Sequence, residues 1–242
     1  MKKNLIFIHG FRGDHLGLKE MAENYFDKKK FNIYLPDIPP AGEHSMESYT
    51  PLTYAKFIAD YIKAHNIKKP ILIGHSMGSI VAAATAERYP ELLDKKIIFL
   101  SPISIKPSAF FAALTPFSIL LPNRLVTYIT TKYLFIPKDR PLFLETLAIS
   151  RLCGADYVSR IEVFKSARFS SHYCISDFDF ASKKACFISG EKDRLIPRKK
   201  TEYVARNMES PTFYIKNTGH LLNYENPKET AFVIKNFIRR KK

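Results

Sequence analysis

The residues best suited to chemistry are a serine, an aspartate and a histidine set far apart along the chain. Ser76 stands in Gly74-His75-Ser76-Met77-Gly78, directly after an apolar run at 71–73 and directly before an alanine-rich stretch at 79–88. A serine on a tight turn between strand and helix is held up on strained backbone, and small residues two places away on either side let neighbouring chain pass close by. The helix N-terminus that follows favours negative charge nearby. Such a hydroxyl can attack a carbonyl carbon once a base takes its proton. Of the histidines His9, His15, His44, His65, His75, His172 and His220, the last is best placed, in Asn217-Thr218-Gly219-His220 before the final helix. Asp193, in Ser189-Gly190-Glu191-Lys192-Asp193, follows the penultimate apolar run and suits the task of orienting His220, with Glu191 as its local rival. Ser76, Asp193, His220 is also the chain order expected when a strand-turn-helix carries the nucleophile.

Acyl transfer further needs hydrogen-bond donors aimed at the oxygen that becomes charged. The run His9-Gly10-Phe11-Arg12-Gly13 follows the first apolar segment, so the backbone N–H groups of Phe11 and Met77 are the candidate oxyanion donors. His9 reads as architectural. The turn directs His75 away from the Ser76 hydroxyl, and it is taken as a candidate substrate contact. His15 and His44 fall in loops near the expected mouth and are further candidates, whereas His65 sits at a polar helix end.

Positioning these groups requires a sheet that ends all its strands at one edge. Short apolar runs at 4–8, 32–35, 71–73, 96–100, 185–188 and 212–215 read as buried strands. Between them lie helical patterns at 18–28, 54–65 and 79–88, and a strong one at 227–239, with proline at its start and Ala231, Ile234, Phe237 and Ile238 on one side. Strand–helix alternation gives an α/β fold: a mostly parallel central sheet with helices on both faces. The alternation breaks at 103–182, a stretch too long and too apolar for a loop. The expected organisation is therefore a core of 1–102 and 183–242 with a helical cap at 103–182.

Composition is that of an ordinary globular chain, 46% hydrophobic and 25% charged, which excludes disorder. Cys153, Cys174 and Cys186 have neither disulfide-framework nor zinc spacing, and reduced thiols in the cytoplasm account for them. The apolar run after Met1-Lys2-Lys3 is too short for a signal peptide. The longest apolar stretch, 103–121, holds Lys106, Pro107 and Pro116, so no membrane span is expected. The net charge of +15 reads either as a lysine-rich composition or as attraction to an anionic partner. The tail Arg239-Arg240-Lys241-Lys242 reads as a solvated helix end. The acid-free stretch 95–138 has two readings: contact with an anionic membrane surface or a lipid-like ester, or ordinary helix packing. The expected location is cytoplasmic, with a peripheral place at the membrane surface as the variant. No basic-aromatic motif points to specific nucleic-acid binding, and the oligomeric state has no signature.

Four segments resemble the α/β-hydrolase superfamily: His9-Gly10-Phe11, Gly74-His75-Ser76-Met77-Gly78, Gly190-Glu191-Lys192-Asp193 with Pro197, and Gly219-His220 with Glu225-Asn226-Pro227. The resemblance implies Ser76 as nucleophile, His220 as base, Asp193 as acid, donors at Phe11 and Met77, a cap over the site, and no metal or organic cofactor. It departs from the family in starting almost at the first parallel strand, without an N-terminal hairpin, and in a loop at 36–45 that only loosely matches the usual Gly-His-Gly-x-Ser. The implied activity is that of a serine hydrolase on an apolar acyl ester, of carboxylesterase or monoacylglycerol-lipase type. Thioester or carbon–carbon bond hydrolysis on the same three residues is the alternative, and a non-catalytic binding protein with this fold is the third reading. Phe110, Phe111, Phe117 and Tyr128 are the expected acyl-pocket residues.

Overall fold

The computed structural model describes residues 2–41, 45–106 and 160–240, with the isolated helical positions Leu125, Tyr128 and Lys132. Its strands are β1 (Lys3–Ile8), β2 (Phe31–Tyr34), β3 (Ile71–His75), β4 (Lys96–Leu100), β5 (Lys184–Gly190) and β6 (Thr212–Ile215). They form one sheet in the order β2-β1-β3-β4-β5-β6, with every neighbouring pair parallel. All the expected strands are present, within a few residues at their ends. The helices with full bounds are α1 (Leu16–Tyr25), α2 (Pro51–Ala64), α3 (Met77–Arg88), α4 (Arg160–His172), α5 (Arg198–Asn207), α6 (Leu222–Glu225) and α7 (Pro227–Arg239).

The strands read as near-continuous apolar runs because both faces of the sheet are covered. Ile6, Ile8, Leu72, Ile97, Phe99, Ala185 and Phe187 point to one face, where α2, α3, α4 and α5 pack through Tyr54, Ile58, Ile80, Val81, Phe169 and Val204. Leu5, Phe7, Ile71, Ile73, Ile98, Leu100, Cys186 and Ile188 point to the other, against Leu18 and Met21 of α1 and Ala231, Ile234 and Phe237 of α7. Helix α3 is buried from Met77 through Ala86. A helix covered on all sides tolerates an apolar composition all round, and its small side chains let it lie close to the sheet.

Local chemistry sets the helix ends. Thr50 accepts the Thr53 N–H at 3.2 Å while Thr53 Oγ1 accepts the Thr50 N–H at 3.0 Å, a reciprocal cap on α2, with Pro51 in the first turn. At the start of α7 the Asn226 side chain accepts the Glu229 N–H at 3.4 Å, with Pro227 in the first turn. Its far end is closed from the sheet, where Lys96 Nζ donates to the carbonyls of Phe237, Ile238 and Arg240 at 2.9, 2.8 and 2.7 Å. Helix α5 escaped the sequence pattern because only Thr201, Val204 and Ala205 are buried along it, a stripe too narrow to stand out in so polar a run.

Helix α4, within the inserted stretch, is built into the core. Phe169 is 2% exposed and its ring centroid lies 4.6 Å from that of Tyr54. The Ile175 N–H donates to the Ile103 carbonyl at 2.9 Å, tying the returning chain to the departing one. None of the described helices is long and apolar enough to cross a membrane. Truncating Phe169 to alanine should lower unfolding free energy by about 3–5 kcal/mol. Urea denaturation measures this, and a loss below about 1 kcal/mol would mean that α4 is not anchored through this ring.

Candidate active site

Parallel strands deliver their C-terminal ends to one edge of the sheet, and the candidate residues meet there. Ser76 continues the ladder by one bond, its N–H donating to the Leu100 carbonyl at 2.9 Å. The chain then turns with Ser76 at φ 51°, ψ −117°, a region that L-residues enter only when the surroundings impose it, at a cost of about 1–3 kcal/mol. Two glycines make the imposition possible. A Cβ on Gly74 would sit 2.3 Å from the Gly78 carbonyl oxygen, and one on Gly78 would sit 2.3 Å from that of Ile8. Strand β3, helix α3 and strand β1 are thus in backbone contact around the serine. Ser79, fully buried, locks the turn: its hydroxyl donates to the Ser76 carbonyl and accepts the Ile103 N–H at 3.2 Å. The sequence carried no sign of this second serine's role.

His220 reaches Ser76 from the loop after β6. Its Nε2 lies 2.9 Å from Ser76 Oγ and its Nδ1 lies 2.8 Å from Asp193 Oδ2. Backbone crowding again sets the approach, for a Cβ on Gly190 would fall 2.0 Å from the Gly219 carbonyl oxygen. Glu225 clamps the loop on either side of the histidine, accepting the Gly219 N–H at 2.9 Å and the Leu221 N–H at 3.3 Å. Asp193 Oδ1 accepts the N–H groups of Leu195 and Ile196 at 2.9 and 3.0 Å. Burial pushes the Asp193 carboxyl up, but the His220 ring and the two backbone donors together outweigh it, and the net pKa is lowered. An ionised Asp193 makes Nδ1 the protonated nitrogen of neutral His220, leaving Nε2 to accept from the serine. Glu191, the rival acid, is exposed and accepts the Asn217 N–H at 3.0 Å.

The other histidines occupy different places. His9 is buried, with Nε2 accepting the Ile38 N–H and Nδ1 donating to the Gly10 carbonyl, each at 2.9 Å. It bridges the loops after β1 and β2. Burial lowers its pKa against the pull of the Gly10 carbonyl and of Asp37 and Asp14. His75 is buried too, and its Nε2 donates to the His220 carbonyl at 3.1 Å. Burial first, and the neighbouring His220 ring second, lower its pKa to about 3. His15 pairs with Asp37, Nδ1 to Oδ2 at 2.8 Å. His65 and His172 are exposed and turn back onto carbonyls of their own helices.

Of the expected oxyanion donors, Met77 is the first residue of α3, so its N–H has no acceptor within the helix. Phe11 stands in a turn closed by the Gly13 N–H on the Gly10 carbonyl at 3.1 Å, with its ring against the core. Helix α4 lies over this region, with Ser166 Oγ 3.7 Å from Met77 Sδ. Of the expected pocket residues, Tyr128 is exposed with Lys132 Nζ 5.8 Å from its ring centroid, whereas Phe110, Phe111 and Phe117, like His44, lie outside the described residues. Asp14, His15 and Asp37 bring one potential metal-ligand atom each within 4.8 Å of one another. The His15–Asp37 pair and the Leu16 N–H on Asp14 already engage them.

The buried, neutral His75 gives a pH signature. The unfolded chain takes up a proton there as pH falls through 6.5, while the folded chain does so only near 3. The unfolded state binds more protons across that window, so stability falls on acidification, by at most about 1.4 kcal/mol per pH unit from this group. His75→Gln keeps an N–H for the His220 carbonyl and removes the titration. Between pH 6.5 and 4.5 the variant should lose about 2 kcal/mol less stability than wild type in urea titrations. Identical acid slopes would rule out a buried neutral His75, and His9 accounts for part of the slope that persists.

The geometry has wide company. A model of the Alpha/beta hydrolase family matches residues 5–231. An uncharacterized hydrolase of Bacillus subtilis is 25% identical over 98% of this chain and 90% of its own length. A Mycoplasma pneumoniae protein provisionally named esterase/lipase 2 is 24% identical over 94% of this chain and 85% of its own. The fold is shared with a thermophilic esterase of Thermogutta terrifontis, at TM-score 0.83 and 20% identity, over 99% of this chain and 90% of that one. With six parallel strands, helices on both faces and a family match over most of its length, the chain belongs to the alpha/beta hydrolase family.

Proposed function

We propose that the chain is a serine hydrolase that cleaves an apolar acyl ester through an acyl-enzyme on Ser76. The observation that carries this reading is the unbroken relay from Ser76 Oγ to His220 Nε2 at 2.9 Å and from His220 Nδ1 to Asp193 Oδ2 at 2.8 Å, on a serine held at positive φ. In the forward step His220 Nε2 takes the hydroxyl proton as Ser76 Oγ bonds to the ester carbonyl carbon. Asp193, kept ionised, stabilises the imidazolium. The N–H groups of Phe11 and Met77 receive the negative oxygen. Collapse expels the alcohol, protonated from Nε2, and water then releases the acid by the same path in reverse. His75 acts on this site through the His220 carbonyl, as a positioning residue.

The inserted stretch 103–182 is proposed as the cap that selects the acyl chain. Phe110, Phe111, Phe117 and Tyr128 come from it, and α4 joins it to the site through Ser166 and Met77.

The test is turnover of p-nitrophenyl esters from acetate to laurate. Ser76→Ala should lose about 10⁴-fold or more in kcat and all labelling by a fluorophosphonate probe. Asp193→Asn should lose about 10³–10⁴-fold in kcat with the fold intact, because His220 then takes the wrong tautomer. Wild-type turnover no higher than that of Ser76→Ala across all chain lengths would overturn the reading.

A further inference from the structure

The net charge of +15 is unevenly placed. Every strand from β2 across to β5, in their spatial order, is entered through lysines. Lys28, Lys29 and Lys30 precede β2, and Lys2 and Lys3 open β1. Lys68 and Lys69 lead into β3. Lys95 and Lys96 open β4, and Lys183 and Lys184 open β5. The register sets these entries side by side: Lys3 is opposite Phe31, whose preceding residue is Lys30, and Lys96 is directly opposite Lys184. The Lys184 N–H donates to the Lys95 carbonyl at 2.6 Å, and Asn4 Nδ2 donates to the Lys68 carbonyl at 2.7 Å. Helix α7 runs back to the same end, where Lys96 holds its last carbonyls, so Arg239 and Arg240 join the row. The sequence alone reads Arg239 and Arg240 as part of a solvated helix end; the fold gives these two neighbours of like charge.

These cations form one row along the strand starts. Parallel strands about 4.8 Å apart put their starts in a row roughly 20 Å wide. Apart from Lys96 and Lys183, all of them are exposed. Acids are fewer and lie among the lysines: Asp27 pairs with Lys30, Asp94 caps the Lys96 N–H, Glu91 takes Lys69 Nζ on its carbonyl, and Glu87 accepts the Asp179 N–H at 2.8 Å. At the opposite edge of the sheet the charges alternate instead, as in Arg12, Asp14 and Asp37, or Glu191, Lys192, Asp193 and Arg194. The crowding has a cost within the fold. Burial, and after it the charge of Lys3, lowers the pKa of Lys96, and burial and then the charge of Lys69 lower that of Lys183. Like charges held together at such a cost suit an external anion.

We propose that this base of the sheet is a docking face for an anionic lipid bilayer. A row of exposed cations suits an extended anionic surface, to which each near-surface lysine adds attraction without a shaped pocket. Nucleic acid fits less well, since single strands are held by exposed aromatic stacking platforms. The large exposed apolar side chains of the described residues, Leu52, Leu125, Tyr128, Tyr203 and Phe232, fall elsewhere in the sequence than the strand entries. Ser76 lies at the other end of the strands, roughly 15–20 Å away at strand rise. The docked protein therefore keeps its candidate site turned from the bilayer, open to acyl esters arriving through solution. Docking at the base is independent of whether Ser76 is a nucleophile.

Flotation of the full chain with phosphatidylcholine vesicles containing 0 or 40% phosphatidylglycerol tests this. Binding is expected only with the anionic lipid, lost by 500 mM NaCl. The variant Lys29→Gln/Lys68→Gln/Lys184→Gln/Arg239→Gln removes four exposed side-chain charges from the face. It should lower the partition coefficient about a hundredfold or more, with p-nitrophenyl ester turnover unchanged. Lys19→Gln/Lys199→Gln/Lys200→Gln/Lys228→Gln removes the same charge elsewhere and should lower it less than tenfold. Equal losses in the two variants, binding to pure phosphatidylcholine, or displacement from vesicles by equimolar duplex DNA would each overturn the proposal. An inactive enzyme that still docks would count against the hydrolase reading alone.

Discussion

The site rests on backbone-to-backbone contact at Gly74 and Gly78. Ser76 can hold a positive φ only because β3, α3 and β1 meet there without intervening side chains. Any side chain at either glycine would push α3 away from the sheet by an ångström or more. Every other contact at the serine depends on that closeness: the Ser76 N–H on Leu100, the Ser79 hydroxyl on the Ser76 carbonyl, and Met77 reaching α4. The alanines of α3 have the same meaning, as bulkier residues would lift the helix and straighten the turn. Strain at one residue is sustained by close packing over a whole helix.

A second constraint is electrostatic. Three histidines lie buried close together, and only His220 has a carboxylate on its ring. His9 and His75 are held neutral by burial, each with its ring nitrogens engaged on or facing backbone. A charge on His75 would stand beside the His220 ring, whose centroid lies 5.4 Å from its own. Neutral rings instead fix loops: His9 joins the turn carrying Phe11 to the loop after β2, and His75 joins the turn carrying Ser76 to the loop carrying His220. The polar interior is thus divided between one histidine held by a carboxylate and two that act as hydrogen-bonding struts.

The sheet was legible in the sequence because parallel strands covered on both faces are uniformly apolar, and the runs at 96–100 and 212–215 match β4 and β6 residue for residue. The positions of Ser76, Asp193 and His220 were legible for a related reason: Ser76 directly follows β3, and Asp193 and His220 stand in the loops that follow β5 and β6. What escaped was held by contacts with no periodicity. Ser79 acts through hydrogen bonds to the Ser76 carbonyl and the Ile103 N–H, and its residue type carries no signal of it; Glu225 is legible only as part of a motif, without its role of clamping the loop on either side of His220. Helix α5 escaped because tertiary packing, rather than a broad apolar stripe, stabilises it. The sequence reading makes His75 a candidate substrate contact turned from the Ser76 hydroxyl; its partner, the His220 carbonyl, is remote in the chain and visible only once β3 and the last loop meet.

The two ends of the sheet thus divide the work by chain direction. In a parallel sheet all strands enter at one edge and leave at the other, so residues that precede apolar runs collect together, as do those that follow them. Lysines before the runs become one surface, and polar residues after the runs become one site. A repeated local habit, Lys-Lys before an apolar segment, looks like mere composition when read along the chain. Folding converts it into a continuous basic face, because the register aligns the strand starts. The same geometry keeps that face a full strand length from Ser76, roughly 15–20 Å at strand rise. The lysine-rich strand starts and the cluster of Ser76, His220 and Asp193 are thus held at opposite ends of one sheet.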